Sequence, residues 1–102
     1  MADMTHVAVI IGSTRQGRFG DKPARWIADR LAERSDITVE LLDLRDFPLP
    51  FFDEAISPSR RGDVPYSHPV AAAWADAIDR ADAFVIVAAE YNHGYPGILK
   101  NA

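Results

Sequence analysis

The chain of 102 residues carries 15 Asp and Glu against 11 Lys and Arg, a formal net charge of −4, and 48% of its residues are hydrophobic. That length fits one domain, the apolar share excludes wholesale disorder, and the mild acidity argues against a nucleic-acid-binding surface. The absence of cysteine excludes a disulfide framework, a thiolate zinc site and an iron–sulfur cluster.

The polar start, Met1 to His6, is unlike a signal peptide, and the longest apolar run falls far short of the roughly 20 residues of a membrane span. A soluble cytoplasmic protein binding neither nucleic acid nor membrane is expected. The first strand is the continuous apolar run Val7 to Ile11, the pattern of a strand covered on both faces in a parallel sheet. Gly12 ends it. Residues 12–20 hold three glycines without periodicity and read as a loop. Asp21 stands where an N-cap belongs, and Pro23 is tolerated in a first helical turn. Ala24, Ile27, Ala28 and Leu31 then recur at helical spacing, which predicts a helix from about Lys22 to about Glu33.

A second strand is predicted over residues 37–44, half alternating and so nearer a sheet edge. Residues 45–69 hold five of the seven prolines and no sustained period, the mark of a functional or disordered loop. The aromatics Phe47, Phe51 and Phe52 predict that its first half packs against something. A second helix follows over 70–80, with Val70, Trp74, Ala77 and Ile78 on its apolar stripe. Trp26 and Trp74 are read as core or dimer-contact residues. Residues 83–88 form a third, wholly apolar strand, and residues 98–102 look like the first turn of another helix.

Alternating strands and helices call for an α/β sheet with right-handed crossovers. With the first and third strands read as buried and the second at an edge, the spatial order is 2-1-3. Its topological switch point lies between strands 1 and 3, and ligands in open α/β sheets bind at the carboxyl ends there. The two unusual loops, 12–20 and 89–97, emerge at those ends.

The first loop has the makings of an anion site. Its glycines allow close backbone approach, Ser13 and Thr14 add hydroxyls, Arg15 and Arg18 add charge, and the next helix points its amino end there. A plain strand-to-helix turn with surface arginines is the competing reading. Gly12 and Gly17 have P-loop spacing, but Arg18-Phe19 replaces the Lys-Ser/Thr pair, so nucleoside triphosphate hydrolysis is not expected. The G-x-G-x-x-G pattern is absent too. A mononucleotide with one terminal phosphate is left, as FMN is held in flavodoxin-like sheets. Nothing shows metal-ligand spacing or a G-x-S-x-G nucleophile elbow.

In the second loop Tyr91 and Tyr95 offer aromatic surface, Gly94 and Gly97 let amides face a ligand, and Asn92 tolerates left-handed backbone. For Glu90 a capping role, for Tyr91 core packing and for His93 a surface or interface position are the competing structural readings.

Together, Gly-Ser-Thr-Arg-Gln-Gly-Arg-Phe-Gly at 12–20 and Glu-Tyr-Asn-His-Gly-Tyr-Pro-Gly-Ile-Leu-Lys-Asn-Ala at 90–102 resemble the NADPH-dependent FMN reductase family. That family is flavodoxin-like and includes quinone, chromate and azo-dye reductases. The resemblance covers the whole chain. It implies that Ser13, Arg15 and the stretch Gly17, Arg18, Phe19 and Gly20 hold the FMN phosphate, and that Glu90, Tyr91, Asn92 and His93 border the isoalloxazine ring. The family often has Ser or Asn where this chain has Arg18 and Gly20, and usually Pro where it has Ala89.

The implied activity is that of an NAD(P)H-dependent flavin oxidoreductase. Hydride would pass from NADPH or NADH to FMN and then to a quinone or similar small-molecule acceptor by ping-pong kinetics. No side-chain general acid is expected, because the cofactor carries the chemistry. Homodimers or homotetramers are usual in the family. Members run longer, with two further strands, so residues 1–102 are expected to be the N-terminal part of a single flavodoxin-like FMN-binding domain. A fragment, a truncated product or half of a strand-exchanged dimer would all fit. The alternative function is a non-catalytic flavin- or phosphate-binding half-domain; a sugar-phosphate or nucleotide binder would leave the second loop unexplained.

Overall fold

In the computed structural model, residues 4–102 are described. Strand β1 (Thr5–Ile11) is followed by helix α1 (Asp21–Ala32), β2 (Ile37–Asp43), α2 (Pro69–Arg80), β3 (Ala83–Val87) and the short α3 (Gly97–Asn101). The three strands form one parallel sheet in the order β2-β1-β3, the arrangement expected of a flavodoxin-like fold. Register runs from Thr5 beside Ile37 to Ile11 beside Asp43 on one side, and from Val7 beside Ala83 to Ile11 beside Val87 on the other.

The central strand explains the two cores. Side chains alternate across a strand, so Val9 and Ile11 face α1, packing with Ala24, Ile27 and Leu31, while Ala8 and Ile10 face the opposite layer with Leu42, Leu44, Trp74 and Ala77. Burial on both faces is what a continuous apolar run requires, and β1 satisfies it. Strand β3 does not. Phe84 and Ile86, beside Ala8 and Ile10 in register, are 43% and 54% exposed, so the expectation of a buried third strand is corrected. Val85 and Val87 pack toward α1, whereas α2 shields β1 and β2 on the other face and leaves that side of β3 open.

Helix α1 begins one residue earlier than its sequence signal suggests. Gly20 is the N-cap and makes no side-chain bond, while Asp21 lies in the first turn, where its charge favours the positive helix end. Strand β2 stops at Asp43 rather than Leu44. The Asp43 carboxylate accepts the Arg45 N–H at 3.0 Å, which turns the chain into the 3-10 turn Leu44–Asp46.

The proline-rich segment is ordered by a few contacts rather than by a period. Phe47 meets Trp74 edge-on with centroids 5.1 Å apart, and Leu49 joins the same core. Phe51 and Phe52 do not pack as expected; Phe51 is 90% exposed. Further on, the chain folds around the buried Arg61. Its guanidinium donates to the carbonyls of Ile56 and Pro65 and to Glu54, all within 3.0 Å, and lies 4.0 Å from the Tyr66 ring centroid. A buried guanidinium needs acceptors, and these carbonyls and Glu54 supply them.

Candidate functional site

Both loops sit at the carboxyl ends of β1 and β3, and they touch. The Ser13 hydroxyl lies 2.7 Å from the Tyr91 hydroxyl across 78 residues of chain, and Ser13 is buried. The same Ser13 oxygen accepts the Arg15 N–H at 3.2 Å. Gly12 makes this convergence possible. Its N–H donates to the Val87 carbonyl at 2.8 Å, and a Cβ there would stand 2.8 Å from that oxygen and 3.0 Å from Leu99.

Between the loops lies a cavity of about 350 Å³, lined by both loops, by Pro23 of α1 and by Val87 to Ala89 at the end of β3. It gathers Ser13, Arg15, Gly17, Arg18, Phe19, Gly20 and Tyr91. Glu90, Asn92 and His93 lie beside it on the exposed turn and do not line it. Pro23, Val87 and Ala88 line it unannounced by any motif; their one signal is position, at a strand's carboxyl end and a helix's first turn. A second cavity, of about 260 Å³, lies between residues 49–54 and α2, away from both loops. The first is the better candidate for a phosphorylated ligand because backbone amides and arginine converge on it.

The second loop is built as a tight hairpin. Tyr91 and Gly94 exchange both backbone hydrogen bonds, at 2.8 and 3.1 Å. Asn92 and His93 at its tip have φ of 53° and 65°, the left-handed pair of a type I′ turn. Asn adopts that geometry readily; His does so at some cost, of the kind that collects at ligand sites.

Arg18 is engaged inside the protein. Its two terminal nitrogens hold the Asp43 carboxylate at 2.7 and 2.5 Å, and one also donates to the Ser13 carbonyl at 2.7 Å. Hydrogen bonding from Arg18 holds the Asp43 carboxyl below the usual carboxylate range, against the opposing effect of desolvation, and the Asp43 bond likewise raises Arg18. Arg45, from the turn after β2, donates to the carbonyls of Thr14 and Arg15 at 3.3 and 2.6 Å. Asp43 and Arg45 carry no ligand motif, and only the parallel pairing of β2 with β1 brings them beside the first loop.

Tertiary structure also brings together Asp53, Glu54 and His68, a group whose spacing shows no ligand pattern. Glu54 is engaged by Arg61 and Ser67, and Asp53 Oδ1 lies 3.0 Å from His68 Nε2. The cluster ties the proline-rich segment to the start of α2.

The family model described as NADPH-dependent FMN reductase matches residues 5–102. The chain belongs to that family. It is 40% identical over 96 residues to an NAD(P)H-dependent FMN reductase of Schizosaccharomyces pombe, covering 94% of this chain and 48% of that one. It is 34% identical over 103 residues to a quinone reductase of Pseudomonas putida, covering 100% and 50%. Among solved structures, the FerB flavoenzyme NAD(P)H:(acceptor) oxidoreductase of Paracoccus denitrificans superposes with a TM-score of 0.64 at 30% identity, covering 96% of this chain and 48% of FerB. This family member therefore spans about half the length of the curated relatives it matches. No helix among its described residues is long and apolar enough to cross a membrane.

Proposed function

We propose that the chain is the N-terminal, flavin-binding part of an NAD(P)H-dependent FMN reductase-type oxidoreductase. The observation that carries this reading is the Ser13–Tyr91 contact of 2.7 Å, which closes two distant loops around one cavity at the switch point of the sheet. The residues present fit FMN. Among the described residues, no backbone acceptor takes the N–H groups of Gly17 or Phe19, both of which line the cavity. Such free amides, beside Arg15 and the amino end of α1, suit a terminal phosphate. The cavity wall along Val87, Ala88, Ala89 and Tyr91 gives the apolar and aromatic surface that a flat ring needs.

In this reading Ser13, Arg15 and the backbone of 17–20 hold the phosphate, and Tyr91 borders the ring with Glu90, Asn92 and His93 on the hairpin beside it. The I′ hairpin fixes the position of the Tyr91 ring, and Ser13 holds its hydroxyl. When bound, FMN supplies the hydride-accepting and hydride-donating chemistry. The protein orients it and exposes one face. NADPH or NADH is the co-substrate, a quinone or similar small molecule the acceptor, and the two use that face in turn, giving ping-pong kinetics. A cytoplasmic homodimer or homotetramer is part of the same reading, checked by light scattering.

The decisive experiment is a titration of the purified chain with FMN, followed by NADPH and then a quinone. Flavin absorbance that bleaches with NADPH and returns with quinone, with parallel double-reciprocal plots, supports the reductase. Bound FMN without turnover supports a flavin-binding half-domain instead. No affinity for FMN refutes both.

A further inference from the structure

We propose that Asp43, Arg18 and Arg45 form a crossed clamp that sets the backbone amides of the first loop for a terminal phosphate. Arg18 then acts as a positioning residue through Asp43, not as a phosphate contact. The inference rests on the FMN reading above and assigns the part that three side chains play in it.

In a trans peptide the carbonyl of one residue and the N–H of the next point in opposite directions. Three successive carbonyls of the loop accept from guanidinium groups: Ser13 from Arg18, Thr14 and Arg15 from Arg45. The N–H groups of Thr14, Arg15 and Gln16 are thereby turned the other way. That of Arg15 is taken by the Ser13 hydroxyl; with the loop so fixed, the cavity is lined not by Thr14 or Gln16 but by Arg15 and, further on, by Gly17 and Phe19, whose N–H groups no backbone acceptor among the described residues takes.

One carboxylate joins both arms. Asp43 accepts from both terminal nitrogens of Arg18 and from the Arg45 N–H, so the loop and the turn after β2 lock each other. A planar fork is needed for this, since an ammonium group cannot present two parallel donors to a carboxylate while also reaching a carbonyl. The Arg18 and Asp43 side chains are only 6% and 17% exposed, so water competes little for them.

The sign of one substitution separates positioning from simple charge. Asp43→Asn removes a negative charge from the neighbourhood of the phosphate, and Coulomb attraction alone would make FMN bind more tightly. The clamp requires the opposite. Arg18→Lys keeps the positive charge and loses the fork, so it tests the same point should the Asn variant not fold.

Dissociation constants for FMN and for riboflavin, which lacks the phosphate, are read by quenching of flavin fluorescence for the chain and both variants. Circular dichroism melts confirm that each is folded. Each variant is expected to weaken FMN by about tenfold or more, through lost preorganisation, with riboflavin changed less than about twofold. A general loss of structure would move both ligands together and overturns the clamp. So does FMN affinity that is unchanged or tightened, and either result leaves the flavin reading intact. An unaltered chain that binds FMN no better than riboflavin overturns the phosphate site and the clamp together.

Discussion

Single atoms decide the fit at two glycines, for different reasons. At Gly12 an added Cβ meets a backbone oxygen 2.8 Å away, so β1 and β3 would have to separate; Gly12→Ala is expected to cost about 2 kcal/mol, as overpacking does, read as a lower urea midpoint. Gly17 has open space around it but a φ of +70°, and alanine there costs only the left-handed penalty, roughly 1 kcal/mol. Asp43 sets a pH dependence. Its carboxyl is lowered from 3.8, chiefly by hydrogen bonding from Arg18. The unfolded chain therefore binds the extra proton first, and stability rises with pH through that window. The contribution is complete above the ordinary value and is lost as pH falls through the lowered one. Urea unfolding across the acid range should show a shallower acid limb for Asp43→Asn than for the unaltered chain. Glu54, lowered mainly by Ser67, keeps that limb from vanishing.

Elements are held by their buried faces, and the two tryptophans make the comparison. Trp74 on α2 is buried against Phe47 and donates its indole N–H to the Ala102 carbonyl at 3.2 Å. Trp26 on α1 is 63% exposed. Trp74→Ala should destabilise by about 3 kcal/mol or more, whereas Trp26→Ala should stay within about 0.5 kcal/mol; thermal melts of the two variants check both. Helical spacing placed each helix to within a residue at its start. It did not say which tryptophan meets the core, because Trp26 is carried on the side of α1 that turns away from the sheet. The proline-rich segment was harder to read for a related reason. Its order comes from Arg61 and its acceptors, and hydrogen bonds from one side chain to scattered carbonyls leave no period in a sequence.

At the scale of the molecule, the sheet buries β1 on both faces and leaves β3 at one edge among the described residues. Phe84 and Ile86 project from that edge strand into solvent. An apolar edge strand is a template for pairing and a sticky patch. Ile86→Lys is expected to reduce self-association and the binding of a hydrophobic dye by this chain, measured by light scattering and dye fluorescence, with little change in its melting temperature. Unchanged association would mean that another surface drives it.

Much of the candidate site was legible in the residues themselves. A five-residue apolar run announces a doubly covered strand, glycines and hydroxyls after it announce an irregular loop, and alternating elements dictate a parallel sheet whose carboxyl ends bring the loops together. Each of these is local information, written in composition and period. What only the tertiary structure decided is pairing. Arg18 reaches Asp43 across 25 residues, and Ser13 reaches Tyr91 across 78. Phe47 is taken into the core while Phe51 is left outside. Hydrophobicity and charge state what a side chain prefers; which partner it finds depends on the register of strands that meet only when the chain has folded.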